Sequence, residues 1–79
     1  MTAAVVLGYG SIGKRHAANL RGLGLDVLTF DPAINMYDFY DWPNMAAGNL
    51  VFMCSPTDYH ANQAEAAILN GARAVYVEK

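Results

Sequence analysis

Three glycines and one acid are the residues with the clearest chemical potential. Gly8, Gly10 and Gly13 stand in the spacing G-x-G-x-x-G within GYGSIG. A first glycine makes a tight turn, a second lets backbone approach a bulky anion, and a third lets a helix pack close to a strand. Backbone N–H groups near Ser11 and Ile12 would point at that anion, helped by the dipole of a helix starting there. Asp31 follows Gly8 by 23 positions, the spacing at which a carboxylate accepts hydrogen bonds from a ribose hydroxyl. An anion cradle followed by a ribose acceptor is the chemistry of dinucleotide binding. A 2′-phosphate would meet carboxylate repulsion at Asp31, and Pro32, Ala33 and Ile34 offer no positive charge. The expected cofactor is therefore NAD rather than NADP. The competing reading leaves Asp31 as the start of an Asp-Pro turn.

Such a motif carries weight only when a strand precedes it and a helix follows. Ala3 to Leu7 (AAVVL) is an apolar run without alternation, as in a strand buried on both faces of a parallel sheet. Ile12, His16, Leu20 and Leu23 fall at helical spacing, and Gly24 supplies a C-terminal stop. Val27 to Phe30 reads as a second strand, closed by Asp31-Pro32. The alternation then repeats. Leu50 to Met53 is a strand, Thr57 or Asp58 is an N-cap for a helix running to about Asn70, Gly71 stops it, and Ala74 to Val77 is the last strand. This order predicts an α/β fold with a Rossmann-like parallel sheet, flanking helices and right-handed crossovers. Ala3–Leu7 would lie centrally, Leu50–Met53 beside it and Ala74–Val77 beyond. Between the halves, the stretch around Tyr37, Phe39, Tyr40 and Trp42 is too apolar for a solvated loop. It reads as a short edge strand plus a helical turn covering the sheet, or as an interface surface.

Composition narrows the alternatives. The chain has 79 residues, 54% hydrophobic and 15% charged, with a net charge of −2. That describes one globular domain spanning residues 1–79, with no basic patch for nucleic acid or an anionic membrane. No apolar run approaches the roughly 20 residues a membrane helix needs, and the first residues lack the basic start of a signal peptide. The single cysteine cannot form an internal disulfide. A cytoplasmic location fits these features.

Three blocks, LGYGSIGKRHAANL, CSPTDYHANQAEAAILNG and VYVEK, give the chain a family likeness. It resembles the N-terminal NAD(P)-binding domain of the glucose–fructose oxidoreductase and inositol dehydrogenase family (Gfo/Idh/MocA). The resemblance implies an oxidoreductase acting on a sugar, polyol or sugar-nucleotide alcohol. It implies that Gly8, Gly10, Ser11, Ile12 and Gly13 hold the pyrophosphate, and that Ser55, Pro56 and Thr57 line the nicotinamide side. Glu78 would reach the nicotinamide ribose, and Lys79 would assist catalysis. Family members continue past the Glu-Lys pair into a large substrate domain, so on this reading the fold is truncated, its substrate domain is absent and the 79 residues alone do not turn over. The stretch after Asp31 is short for the family, which bears on adenine binding.

Other readings compete. The chain could be a nucleotide-binding or interaction module that keeps the fold without turnover. Glycine turns with a downstream acid also serve S-adenosylmethionine, but the terminal Glu-Lys pair and SPTDYH argue against a methyltransferase. His16 and His60 lack partners at metal-ligand spacing, and His60 reads as a capping or packing residue. Lys14 and Arg15 in a first helical turn oppose the helix dipole and read as a solvated face. Cys54 reads as a small residue filling a strand end. Ser55, Asp58 and His60 do not make a triad, because no G-x-S-x-G elbow surrounds the serine. An apolar last strand at a sheet edge invites pairing with another chain, so a homo-oligomer is expected, most simply a twofold dimer.

Overall fold

The structure is a computed structural model and describes residues 3–31, 33, 41–55 and 60–77. Four parallel strands form one sheet: β1 (Ala3–Leu7), β2 (Asp26–Phe30), β3 (Leu50–Met53) and β4 (Ala74–Val77). Their order is β2-β1-β3-β4, so the chain reverses its direction of travel across the sheet between β1 and β3. Helix α1 (Ser11–Gly22) joins β1 to β2. A single helical turn, α2 (Trp42–Met45), precedes β3, and α3 (His60–Leu69) joins β3 to β4. Among the described residues no helix is long and apolar enough to cross a membrane.

Burial on both faces explains why β1 is central. Ala4, Val5, Val6 and Leu7 are all fully buried, and successive side chains point to opposite faces. Val5 and Leu7 join Phe30, Val51 and Met53 beneath α3's Ala67 and the indole of Trp42. Ala4 and Val6 meet Ala17 and Leu20 of α1 on the other face. Asn49 ties the amino ends together. Its Oδ1 accepts from the Ala3 N–H, its Nδ2 donates to the Met45 carbonyl, and its own carbonyl accepts from the Arg73 N–H. The helix ends stop where a left-handed residue is required. Gly24 and Gly71 have φ of +85° and +82°, a region that residues with a Cβ enter only at a cost.

Strand positions agree with the sequence pattern to within a residue, but the rotation of α1 does not. Helical spacing selected Ile12, His16, Leu20 and Leu23 as the buried stripe. The helix instead buries Gly13, Ala17 and Leu20, leaving Ile12 46% and Leu23 77% exposed. The cause is steric. Gly13 lies so close to the Gly8 carbonyl that a Cβ there would sit 2.0 Å from its oxygen, so the small residues must face the sheet. Of the expected stripe, His16 turns toward β3 and β4. There His16 stacks on Phe52 at 6.3 Å, and both rings meet Tyr76, at 5.9 Å from His16 and 5.5 Å from Phe52.

The middle stretch is described only in its second part. It contains the expected helical turn, and no described residue there belongs to a strand; Ala47 makes one isolated bridge to Ala72. Tyr37, Phe39 and Tyr40 lie outside the described residues. Trp42 is 5% exposed and belongs to the core, which removes it from any interface. Truncating it deletes the largest side chain over that face. Trp42→Ala is expected to cost about 3–5 kcal/mol, a large part of the ~4–12 kcal/mol available to a domain of this size. Urea denaturation monitored by circular dichroism measures it, and a loss below about 1 kcal/mol would show that Trp42 lies on the core rather than in it.

Candidate functional site

Parallel strands place all four carboxyl ends on one edge of the sheet. β1 leads into the glycine turn, β2 into Asp31 and β3 into Cys54 and Ser55. The turn is held from both sides: Gly8 N–H donates to the Phe30 carbonyl at 2.7 Å, and Cys54 N–H donates to the Leu7 carbonyl at 2.8 Å.

The three glycines do different work. Gly8 has φ +89°, and a Cβ on it would lie 2.7 Å from backbone atoms of Ser55. Gly13 abuts the Gly8 carbonyl, as described above. Gly10 meets nothing: a Cβ there would find no atom within 4 Å. It is also the N-cap of α1, where no side chain caps the helix and the first turn holds no acid. The first N–H groups of a helix have no intrahelical acceptor, and the space at Gly10 beside them is open among the described residues. Ser11 and Ile12, which carry those donors, are exposed. Lys14 and Arg15 are exposed in the same turn, the Lys14 Nζ lying 5.6 Å from the centre of the Tyr9 ring. Their charge adds to the positive end of the helix, which favours an anion there and not the helix itself.

Asp31 is joined to the turn directly. Its Oδ2 accepts from the Tyr9 N–H at 2.7 Å and its Oδ1 from the Ala33 N–H at 2.8 Å. The carboxylate thus caps a local turn and is tied to the glycine loop through Tyr9.

Ser55 is 8% exposed and lies against Gly8. Its Oγ donates to Gln63 Oε1 at 2.6 Å, and its carbonyl is 2.6 Å from His60 Nε2. The histidine thus bonds the serine's backbone carbonyl, and the serine hydroxyl bonds Gln63. Cys54 is half-buried and packs with Tyr9 on the α1 face. Among the described residues no group of His, Cys, Asp or Glu could hold a metal ion. Gly8, Gly10, Ser11, Ile12, Gly13, Asp31 and Ser55 are thus brought to one edge. Pro56, Thr57, Asp58, Glu78 and Lys79 lie outside the described residues. Sequence reasoning missed Gln63. Its one signal was a polar residue four positions before Ala67, on the stripe of α3 that faces the sheet.

No family model, curated protein or solved structure matches the chain.

The glycines should separate by mutation. Gly8→Ala and Gly13→Ala force backbone apart, the first also at positive φ, and each is expected to destabilise by more than about 2 kcal/mol. Gly10→Ala is expected to change stability by less than about 1 kcal/mol. Denaturant midpoints of the three variants test this, and equal losses at all three positions would contradict the division of labour.

Proposed function

We propose that the chain is a Rossmann-type dinucleotide-binding domain, with NAD preferred to NADP, serving an oxidoreductase that acts on a sugar, polyol or sugar-nucleotide alcohol. The observation that carries the binding reading is the unequal packing of the glycines. Gly8 and Gly13 are glycine because protein fills the space, whereas Gly10 is glycine where space is empty, in front of an uncapped helix N-terminus. A pyrophosphate is the ligand such a place accommodates. The reversal of strand order between β1 and β3 puts this place at the switch point where open α/β sheets take ligands. Asp31 then serves the adenosine ribose.

In this reading NAD, when bound, supplies the hydride acceptor. The chain's own residues hold and orient it: α1 faces the pyrophosphate, Ser55 with Pro56 and Thr57 lines the nicotinamide half, and Glu78 meets the nicotinamide ribose. Lys79 assists proton movement on the substrate alcohol. The substrate class and these last roles rest on the blocks CSPTDYH and VYVEK and on their likeness to sugar and polyol oxidoreductases.

Gly10→Val tests the site cleanly, because the fold has room for the side chain and the ligand would not. Calorimetric titration with NAD is expected to show binding by the wild type and at least a tenfold loss in Gly10→Val. Equal affinities would remove the site. Asp31→Ala is expected to narrow the preference for NAD over NADP. Loosening of Tyr9 would weaken both dinucleotides alike, so the ratio isolates the carboxylate's own effect, and an unchanged ratio would leave Asp31 a turn residue.

Self-association belongs to the same reading. Among the described residues nothing pairs with the outer side of β4, where Tyr76 is 49% and Val77 45% exposed. Such an edge is a template for another strand, and a twofold axis would pair β4 with its copy. Val75 packs inward on the core, so Tyr76→Lys is the informative change. Sedimentation at micromolar concentration is expected to show a dimer that Tyr76→Lys weakens at least tenfold. A purely monomeric wild type would end this part of the proposal.

A further inference from the structure

α3 packs onto β3 and β4 through Ala64, Ala66, Ala67 and Gln63. Three of these are alanines. The fourth is an amide, 5% exposed, whose Nε2 has no hydrogen-bond partner among the described residues. Its Oε1 accepts from Ser55 Oγ. A hydroxyl can donate to Oε1 or accept from Nε2, so one polar end of the amide is left over whichever way it is turned. A buried polar group without a partner destabilises the chain that carries it. Leucine or methionine would fill the same position without a leftover amide group, although the Ser55 hydroxyl would lose its acceptor. Gln63 is therefore a costly choice for packing, and its position suggests what it serves. It sits in the first half of α3 and bonds the residue that Gly8 packs against, at the carboxyl end of β3.

We infer that Gln63 is a ligand-binding residue whose Nε2 donates a hydrogen bond to an oxygen on the nicotinamide half of the bound dinucleotide. This rests on the dinucleotide reading above. The strand order sets the end of the ligand concerned. Asp31 ends β2 and Ser55 follows β3, two strands away, a separation of about 10 Å. With the adenosine ribose at Asp31 and the pyrophosphate before α1, the remainder of the ligand passes Ser55. The terminal torsion of a glutamine is broad, so the amide can turn toward the crevice without moving the helix. Acceptors on that half are ribose hydroxyls, the inner phosphate and the carboxamide oxygen. All present the same chemistry to an N–H donor.

The test uses the full chain and two apolar variants, Gln63→Leu and Gln63→Met. Thermal melts are run without ligand, and calorimetry is run with NAD and with AMP, which carries only the adenine half. The expected result is selective. NAD affinity falls about tenfold and AMP affinity stays within twofold of wild type, while the melting midpoint moves by less than about 8 °C, because the leftover amide group and the Ser55 bond are lost together. NAD affinity unchanged in both variants overturns the role of Gln63 and leaves the dinucleotide site standing. Parallel losses for NAD and AMP, or a midpoint lower by more than about 8 °C in both variants, make Gln63 a structural prop of Ser55 and also overturn it. A wild-type chain that binds neither NAD nor AMP takes down the dinucleotide reading together with this one.

Discussion

Backbone meets backbone at one point, and the rest of the molecule is arranged around it. Gly8 turns out of β1 directly against Ser55, while Gly13 lies on the Gly8 carbonyl. No side chain, not even a methyl group, fits at either contact. The two hydrogen bonds that flank the turn, from Gly8 to Phe30 and from Cys54 to Leu7, join three neighbouring strands at their carboxyl ends. In a domain this small, burial alone leaves little stability to spare. Close approach of backbones compensates by bringing helix, turn and two strands within bonding distance.

That contact has consequences far from it. With Gly13 and Ala17 pressed on the sheet, α1 cannot also bury Ile12 and Leu23. They stay exposed, while His16 between them meets Phe52 and Tyr76 over the outer half of one sheet face. The opposite face is closed by α3 and by Trp42, whose indole completes a core of Val5, Leu7, Phe30, Val51 and Met53. The sheet is thus unequally covered. Ala4 to Leu7 of the inner strand β1 are fully buried, while the edge strand β4 keeps Tyr76 and Val77 about half exposed.

Polar groups at the carboxyl edge divide into satisfied and unsatisfied. The Asp31 carboxylate accepts two backbone N–H bonds, and the Ser55 hydroxyl and carbonyl both have partners. The α1 N-terminus has no side-chain cap, and among the described residues Gln63 Nε2 has no acceptor. Both are donors, one following β1 and the other beside the residue that follows β3.

Much of this was legible in the residues themselves. Strand identities followed from short apolar runs, because a strand buried on both faces must be apolar throughout. Helix ends followed from Gly24 and Gly71, because few other residues adopt their backbone angles. The glycine spacing marked the turn, because only steric exclusion of Cβ explains two of its three members. Three things needed the tertiary structure. The rotation of α1 depends on a contact between Gly13 and Gly8 that helical periodicity cannot register. The burial of Trp42 depends on the face of a sheet assembled from distant strands. The exposure of Ile68 and Leu69 while Gln63 lies inside reverses ordinary hydrophobic ranking. It does so because the narrow space between α3 and the sheet admits alanines, and the one larger side chain there reaches back to Ser55. Local pattern determined which elements form. Distances between their backbones decided which faces they bury.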